Sequence, residues 1–467
     1  MSVSERSADD DPRRQTYDPD TANVSLRPES RTATPAMIFW FWAASGTSVA
    51  VLPSGVIIAA ASGMNAPAAV LAVVVGLVLA GLVLVLVSLS GQRTGRATLA
   101  LSGDVFGPTG NRLPLAISFV VLVGWCSVMA VLAVYSVDAI LRQFGIVLTD
   151  AARILVLVIF AGLLILMVGL GYRLIQVTQK WIALAVGLVI VGLTIDAAVH
   201  TDWGTTLSVP LSGIEPVVAG VVIAMTSAAS GWWNSGADFS RFLAPDIRER
   251  TVVRVVMAGM SGIAIILLAG CFVFFWQPDI LQEENPVVGA TQELSAVGAV
   301  VGIAIALLGL HAATVTNLYS ASLNLNTFGL RSRSISVTVC AVAVVGIGTW
   351  VLLGATSFYE WFQAFLTVLG VPIAAWAGVY VVPAVVSRTW PEAPARIVWW
   401  PMVWLLLGIA VGLGFLETDV QGLSWVGYLS ALAPGFAAAG GGVLVAFVIS
   451  FIGAWVTRRH WLSTAID

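Results

Sequence analysis

The stretch Ser230-Gly231-Trp232-Trp233-Asn234-Ser235-Gly236 lies inside an otherwise apolar run covering 217–237. A helix that crosses a bilayer closes its backbone hydrogen bonds within itself, and glycine and serine around an amide loosen that ladder at membrane depth. The same signature occurs far upstream, where Ser45-Gly46-Thr47-Ser48 and then Pro53-Ser54-Gly55 interrupt the run 35–61. Backbone that leaves the ladder is tolerated in a membrane only where protein or a water-filled cavity satisfies it. Two matched interruptions therefore point to a binding site near the midplane, and they make Ser45, Thr47 and Asn234 candidate contacts.

The rest of the chain is read outward from these segments. Of 467 residues, 58% are hydrophobic and 10% charged, with a mean hydropathy of +0.95. A soluble domain carries about 25% charge, so a soluble globular protein is excluded. A membrane helix needs about 20 apolar residues. Cutting at charged or Gly/Pro-rich breaks gives twelve such runs: 35–61, 67–90, 114–141, 151–171, 176–198, 217–237, 252–275, 295–328, 334–354, 359–387, 397–416 and 431–456. An even number places both termini on one side. With the polar tail 1–34 inside, twenty of the 22 basic residues fall inside, and Arg142 and Arg153 alone fall outside. Basic residues concentrate on the cytosolic side, so both termini, 1–34 and 457–467, are expected in the cytosol of a cell-membrane protein.

Span 1 then enters from inside and span 6 from outside, so a five-span repeat must be inverted. The expected division is 35–198 and 217–387 as the two repeats, with 397–456 as two additional spans. Paired discontinuous helices in inverted repeats mark secondary transporters. Other classes lack their signatures. Cys126, Cys271 and Cys340 sit in apolar runs without metal spacing. His200, His311 and His460 are scattered, with no His-Glu-x-x-His motif for an intramembrane enzyme. No charged rings or filter loop indicate a channel, no Gly-x-x-x-x-Gly-Lys-Ser/Thr loop indicates a pump, and no basic block invites nucleic acid. The expected partners are a small molecule and membrane lipid, with no organic cofactor and no bound metal beyond a coupling ion.

Polar groups inside spans are costly to bury and are candidates for function. Span 8 carries His311, Thr314, Thr316, Asn317, Tyr319 and Ser320; span 3 carries Trp125, Ser127, Tyr135 and Ser136. His311, near mid-span, can exchange a proton around neutral pH and is the candidate coupling group. Asp238 and Arg241, at the cytosolic end of span 6, suit gating. Trp181, Trp276, Trp350, Trp399, Trp400 and Trp455 suit lipid-interface anchors.

The segment Gly231-Trp232-Trp233-Asn234-Ser235-Gly236-Ala237-Asp238-Phe239-Ser240-Arg241-Phe242-Leu243-Ala244-Pro245 resembles a signature of the purine–cytosine permease branch of the nucleobase:cation symporter family. Asn317-Leu318-Tyr319-Ser320-Ala321-Ser322-Leu323-Asn324-Leu325 is similar to a second signature, and Gly124-Trp125, Gly91-x-x-Thr94-Gly95 and Phe106-Gly107-x-x-Gly110 to others. The resemblance implies an all-α LeuT-like fold and alternating-access uptake of a planar nitrogen heterocycle, cytosine or a purine first. Allantoin, hydantoin, a thiamine-precursor pyrimidine or an amino acid are the alternatives. It implies that Trp125 and Trp232 sandwich the ring, with Trp233 as stand-in for Trp232, and that Asn317 hydrogen-bonds it. Two aromatic faces with a few directed hydrogen bonds suit such a ligand.

Family members often carry an amide in span 1 near Gly46 and another a turn after the span 3 tryptophan, where Met129 stands here. The span 8 hydroxyls of a sodium site fall near His311 and Ala312, leaving Thr314 and span 1 carbonyls as oxygen donors. The coupling ion is therefore H+ or Na+.

Overall fold

Long aliphatic runs leave the backbone no hydrogen-bond partner but itself, and helices form over them. A computed structural model describes residues 25–462, apart from 64, 170–171, 284, 292–294, 331, 355–356, 388–389, 393–394 and 421. Residues 1–24 and 463–467 of the expected tails, and the side chains of Arg173 and Lys180, lie outside the described residues. Among the described residues, eight helices are long and apolar enough to cross a membrane: Ala66–Thr94, Arg112–Arg142, Asp150–Val168, Glu215–Ser240, Glu249–Trp276, Ala296–Phe328, Arg333–Gly354 and Phe358–Val386. Pro35–Gly46 and Val49–Ala61 make a ninth, bent by 49°. Leu184–His200, Trp399–Gly414 and Gly442–Val456 are shorter apolar helices at the positions of spans 5, 11 and 12.

The last span begins later than the apolar pattern predicts. Pro434 opens a separate short helix, Pro434–Ala438, and Gly440 follows it in a left-handed turn at φ +71°. The long helix of the last span therefore begins only at Gly442. The polar tail also ends earlier than expected. Leu26 and Arg31 are buried. Leu26 N donates to Gly95 O at 3.0 Å and Ala33 N to Phe242 O at 2.9 Å. Arg31 Nε donates to Leu243 O at 2.8 Å, and its guanidinium also reaches Gln92 O. Residues 25–34 thus strap the termini-bearing ends of spans 2 and 6.

Spans 1 and 7 meet backbone to backbone. A Cβ built on Gly55 would lie 2.1 Å from Leu267 O, and one on Gly270 would lie 2.2 Å from Leu52 O. Near the break, a Cβ on Gly262 would meet Ala43 O at 2.1 Å and one on Gly46 would meet Ile263 N at 2.6 Å. Close approach through small residues is how membrane helices gain packing when lipid is as apolar as their side chains. Span 6 joins span 1 beyond the breaks, where Ser227 Oγ lies 2.7 Å from Ser54 Oγ. Gly270→Val should therefore destabilise the protein by about 1–3 kcal/mol or more, the usual cost of overpacking. Gly162→Ala, mid-helix and with nothing within 4 Å of the new Cβ, should keep or slightly raise thermal stability in detergent. Equal melting temperatures for the two variants would refute the contact.

Candidate functional site

The site is built from the two breaks and the helices facing them. Span 6 runs as Glu215–Trp232, a 3-10 turn over Trp233–Ser235, and a last helical turn Gly236–Ser240. Ser235 Oγ donates to Gly231 O at 2.8 Å, taking up a carbonyl that the irregular turn leaves over. Gly231 itself opens a gap. A Cβ there would stand 3.4 Å from Asn317 Oδ1 and 3.5 Å from Trp125 Cδ1. Spans 3, 6 and 8 therefore converge on one point at which an indole, an amide and bare backbone meet.

Trp125 is 2% exposed and stands edge-on to Phe362 and Phe365 of span 10, at 5.8 and 5.6 Å between ring centroids. Trp232 faces the other way, toward span 1, where its ring tip lies 3.1 Å from the Cβ position of Gly46. Its centroid is 5.3 Å from that of Trp42. Gly46 is thus required by Trp232 and by span 7, which is why no amide side chain stands there. Ser45 Oγ and Trp42 Nε1 are buried and have no hydrogen-bond partner among the described residues. Trp42, Gly231, Phe362 and Phe365 were not among the residues expected at the site. The aromatic run Phe39-Trp40-Phe41-Trp42 was the available signal for Trp42.

Several expected residues lie elsewhere. Trp233 is turned from this cluster: Nε1 donates to Ala80 O of span 2 at 2.9 Å, and its ring packs against Phe447 of span 12 at 6.0 Å. Trp233 therefore does not stand in for Trp232. Thr47 Oγ1 donates to Ala43 O of its own helix at 2.5 Å, and its methyl lies toward Gly187 of span 5. Asn234 is fully buried, with Nδ2 donating to Ser118 Oγ at 2.8 Å. His311 meets Phe160 of span 4 edge-on at 5.5 Å. Six residues before Asn317, it lies about 120° around the helix from it. Thr314 Oγ1 donates to Leu310 O at 2.6 Å and lies 3.3 Å from Met129 Sδ. Neither His311 nor Thr314 joins the Trp125–Gly231–Asn317 group.

At the termini-bearing end, Asp238 Oδ1 accepts from Thr98 N at 2.8 Å. Arg241, wholly buried, donates from Nε to Asp238 O at 3.2 Å and from Nη2 to Tyr319 Oη at 3.3 Å, so it ties span 6 to span 8. On the opposite side a cavity of about 330 Å³ reaches the span 1 break at Val49, Leu52 and Pro53, and is bounded by Leu132, Ser136 and Ala306.

The same arrangement of helices occurs in proteins of known structure. Mhp1, a nucleobase-cation-symport-1 family transporter in a closed conformation with bromovinylhydantoin bound, matches with a TM-score of 0.69 and 17% identity over 94% of this chain and 96% of that one. Its inward-facing conformation matches at 0.66 and 18% over 94% of each chain. A Na+-coupled sialic acid symporter in a substrate-bound outward-open state matches at 0.65 and 13% over 96% of this chain and 93% of that one. These likenesses show a LeuT-like fold. Comparison with curated proteins finds no match. A family model described as a permease for cytosine/purines, uracil, thiamine and allantoin matches residues 26–440. The chain therefore belongs to that family of membrane permeases, which are transporters and not enzymes.

Proposed function

We propose that this permease is a cation-coupled symporter that imports a planar nucleobase-like heterocycle by alternating access, cytosine or a purine before other substrates. The observation that carries the reading is the convergence of Trp125, bare Gly231 backbone and the Asn317 amide at the span 6 break. A flat ring takes dispersion and stacking from indoles, and an amide beside it fixes orientation. Trp232 and Trp42 supply the second aromatic wall, and Ser45 Oγ and Trp42 Nε1 supply hydrogen-bonding groups that nothing in the described structure occupies. Residues 35–198 and 217–387 form the two inverted repeats on this reading, and 397–456 the additional spans. Both termini are cytosolic in the cell membrane on this reading, which the arginine distribution supports. The strap over residues 25–34 and the Arg241–Tyr319 tie then close the cytosolic side, with Asp238 and Arg241 in the gate. The solved relatives include transporters whose descriptions name cation symport and Na+ coupling, which supports a coupling ion here.

The test is uptake in proteoliposomes with cytosine, adenine, uracil, allantoin, hydantoin and a thiamine-precursor pyrimidine, each under separate sodium and proton gradients. Saturable uptake of none of them would refute the reading. Trp125→Ala and Trp232→Ala should each abolish saturable uptake while the protein still elutes as a folded species. Trp233→Phe should instead lower thermal stability, through loss of a buried indole hydrogen bond worth about 1 kcal/mol, and leave substrate affinity in place. Normal uptake by both alanine variants would remove the aromatic walls from the site. Asn317→Ala should weaken binding by about 1–3 kcal/mol, some 5- to 150-fold in KM. An unchanged KM would place the amide outside the ligand's reach.

A further inference from the structure

Polar side chains continue from the binding level toward the termini-bearing end at helical intervals: Asn234 and Asp238 on span 6, Ser320 and Asn324 on span 8, and Ser118 on span 3. Ser118 Oγ accepts from Asn234 Nδ2 at 2.8 Å and from Asn324 Nδ2 at 2.7 Å, which closes one rung across three helices. One turn further along span 6 lies Asp238, 1% exposed. Its Oδ1 is held by Thr98 N. Among the described residues, Asp238 Oδ2, Ser320 Oγ and Asn234 Oδ1 are buried with no hydrogen-bond partner. Ser320 lies beside the carboxyl group, outside ordinary hydrogen-bonding geometry. An unpartnered carboxylate oxygen is among the costliest groups to bury in a membrane protein, and such a residue marks an ion or proton pathway.

We propose that Asp238 carries the coupling proton of this transporter on Oδ2, with Ser320 as the hydrogen-bond partner of the protonated form. The inference rests on the cation-coupled reading above. A proton converts Oδ2 from an acceptor without a donor into a donor, and Ser320 Oγ is the unpartnered acceptor beside it. Among the described residues, the charged and titratable groups near Asp238 are Arg241 on its own segment, with Tyr319 of span 8 bonded to that guanidinium, and Tyr380 on span 10, bonded to Ser90 of span 2. The Arg96–Asp104 pair at the helix Thr98–Phe106 acts on Tyr380 in turn. Thr98 N–H binds the anion, the nearby charge of Arg241 favours it, and Ser320 binds the acid, so one pocket accommodates both forms. The proton binds Oδ2 when the site is open to outer water, and leaves to cytosolic water when Arg241 and Tyr319 separate. His311, turned toward Phe160, stands off this route.

The test uses the full-length protein in proteoliposomes with the membrane potential clamped. Exchange of labelled cytosine, or of whichever panel member is transported, is first measured without any gradient. Absence of exchange for every compound would overturn the transport reading, and this inference with it. Where exchange occurs, one pH unit should drive about tenfold accumulation in the native protein. Asp238→Asn should show no accumulation above equilibration, and its exchange should no longer vary with pH. Ser320→Ala keeps the carboxyl group and loses its partner, so the midpoint of the pH dependence should move to lower pH. It also decides the matter should Asp238→Asn fail to fold. Accumulation driven by sodium and not by pH, undiminished pH-driven accumulation in Asp238→Asn, or an unmoved midpoint in Ser320→Ala would each overturn the assignment while leaving the transport reading intact.

Discussion

A bilayer offers no water to backbone that leaves the helix, so the breaks in spans 1 and 6 persist only because neighbouring groups take over its hydrogen bonds. At span 1, Thr47 N turns back to Ala43 O at 2.9 Å, and Ser48 Oγ accepts from Ala50 N at 3.4 Å. At span 6, Ser235 Oγ takes the carbonyl of Gly231. Span 7 then presses its own glycines, Gly262 and Gly270, against the broken helix. The half-helices are fixed largely by close backbone contact with span 7. That leaves the side chains at the breaks, Ser45 and Trp232 among them, available for other partners.

This constraint also explains which features could be read before the structure. The breaks announce themselves because glycine, serine, proline and an amide at membrane depth have no other economical use. The expected span count comes from the apolar runs, and the arginines support it, since a missed span would exchange inside for outside midway. Helical phase is less legible. Polarity marks His311 as readily as Asn317, yet the two face different neighbours, Phe160 and the Gly231 gap. Trp232 and Trp233 are adjacent in sequence, and the 3-10 turn that starts between them sends one indole toward span 1 and the other toward span 2. No periodicity rule anticipates where such a turn begins. Asn234 likewise looks like a ligand contact in sequence and instead bonds Ser118, because an amide within a bundle satisfies itself on the nearest hydroxyl.

The two positions where family members often place amides have physical occupants here. Gly46 is boxed in by Ile263 N and the tip of Trp232, and Met129 Sδ lies 3.3 Å from Thr314 Oγ1. Neither position can offer a ligand a strong hydrogen bond. On the proposed reading, directional recognition therefore falls to Asn317, Ser45, the Trp42 N–H and the open backbone of the breaks, while the aromatic walls provide most of the contact area. A site with few amides discriminates weakly between ring substituents that differ by one polar group and more strongly by ring size and flatness. Rejection of a close analogue depends on polar groups left unpaired. Selectivity among heterocycles should follow the spacing of the walls made by Trp125, Phe362 and Phe365 on one side and Trp42 and Trp232 on the other.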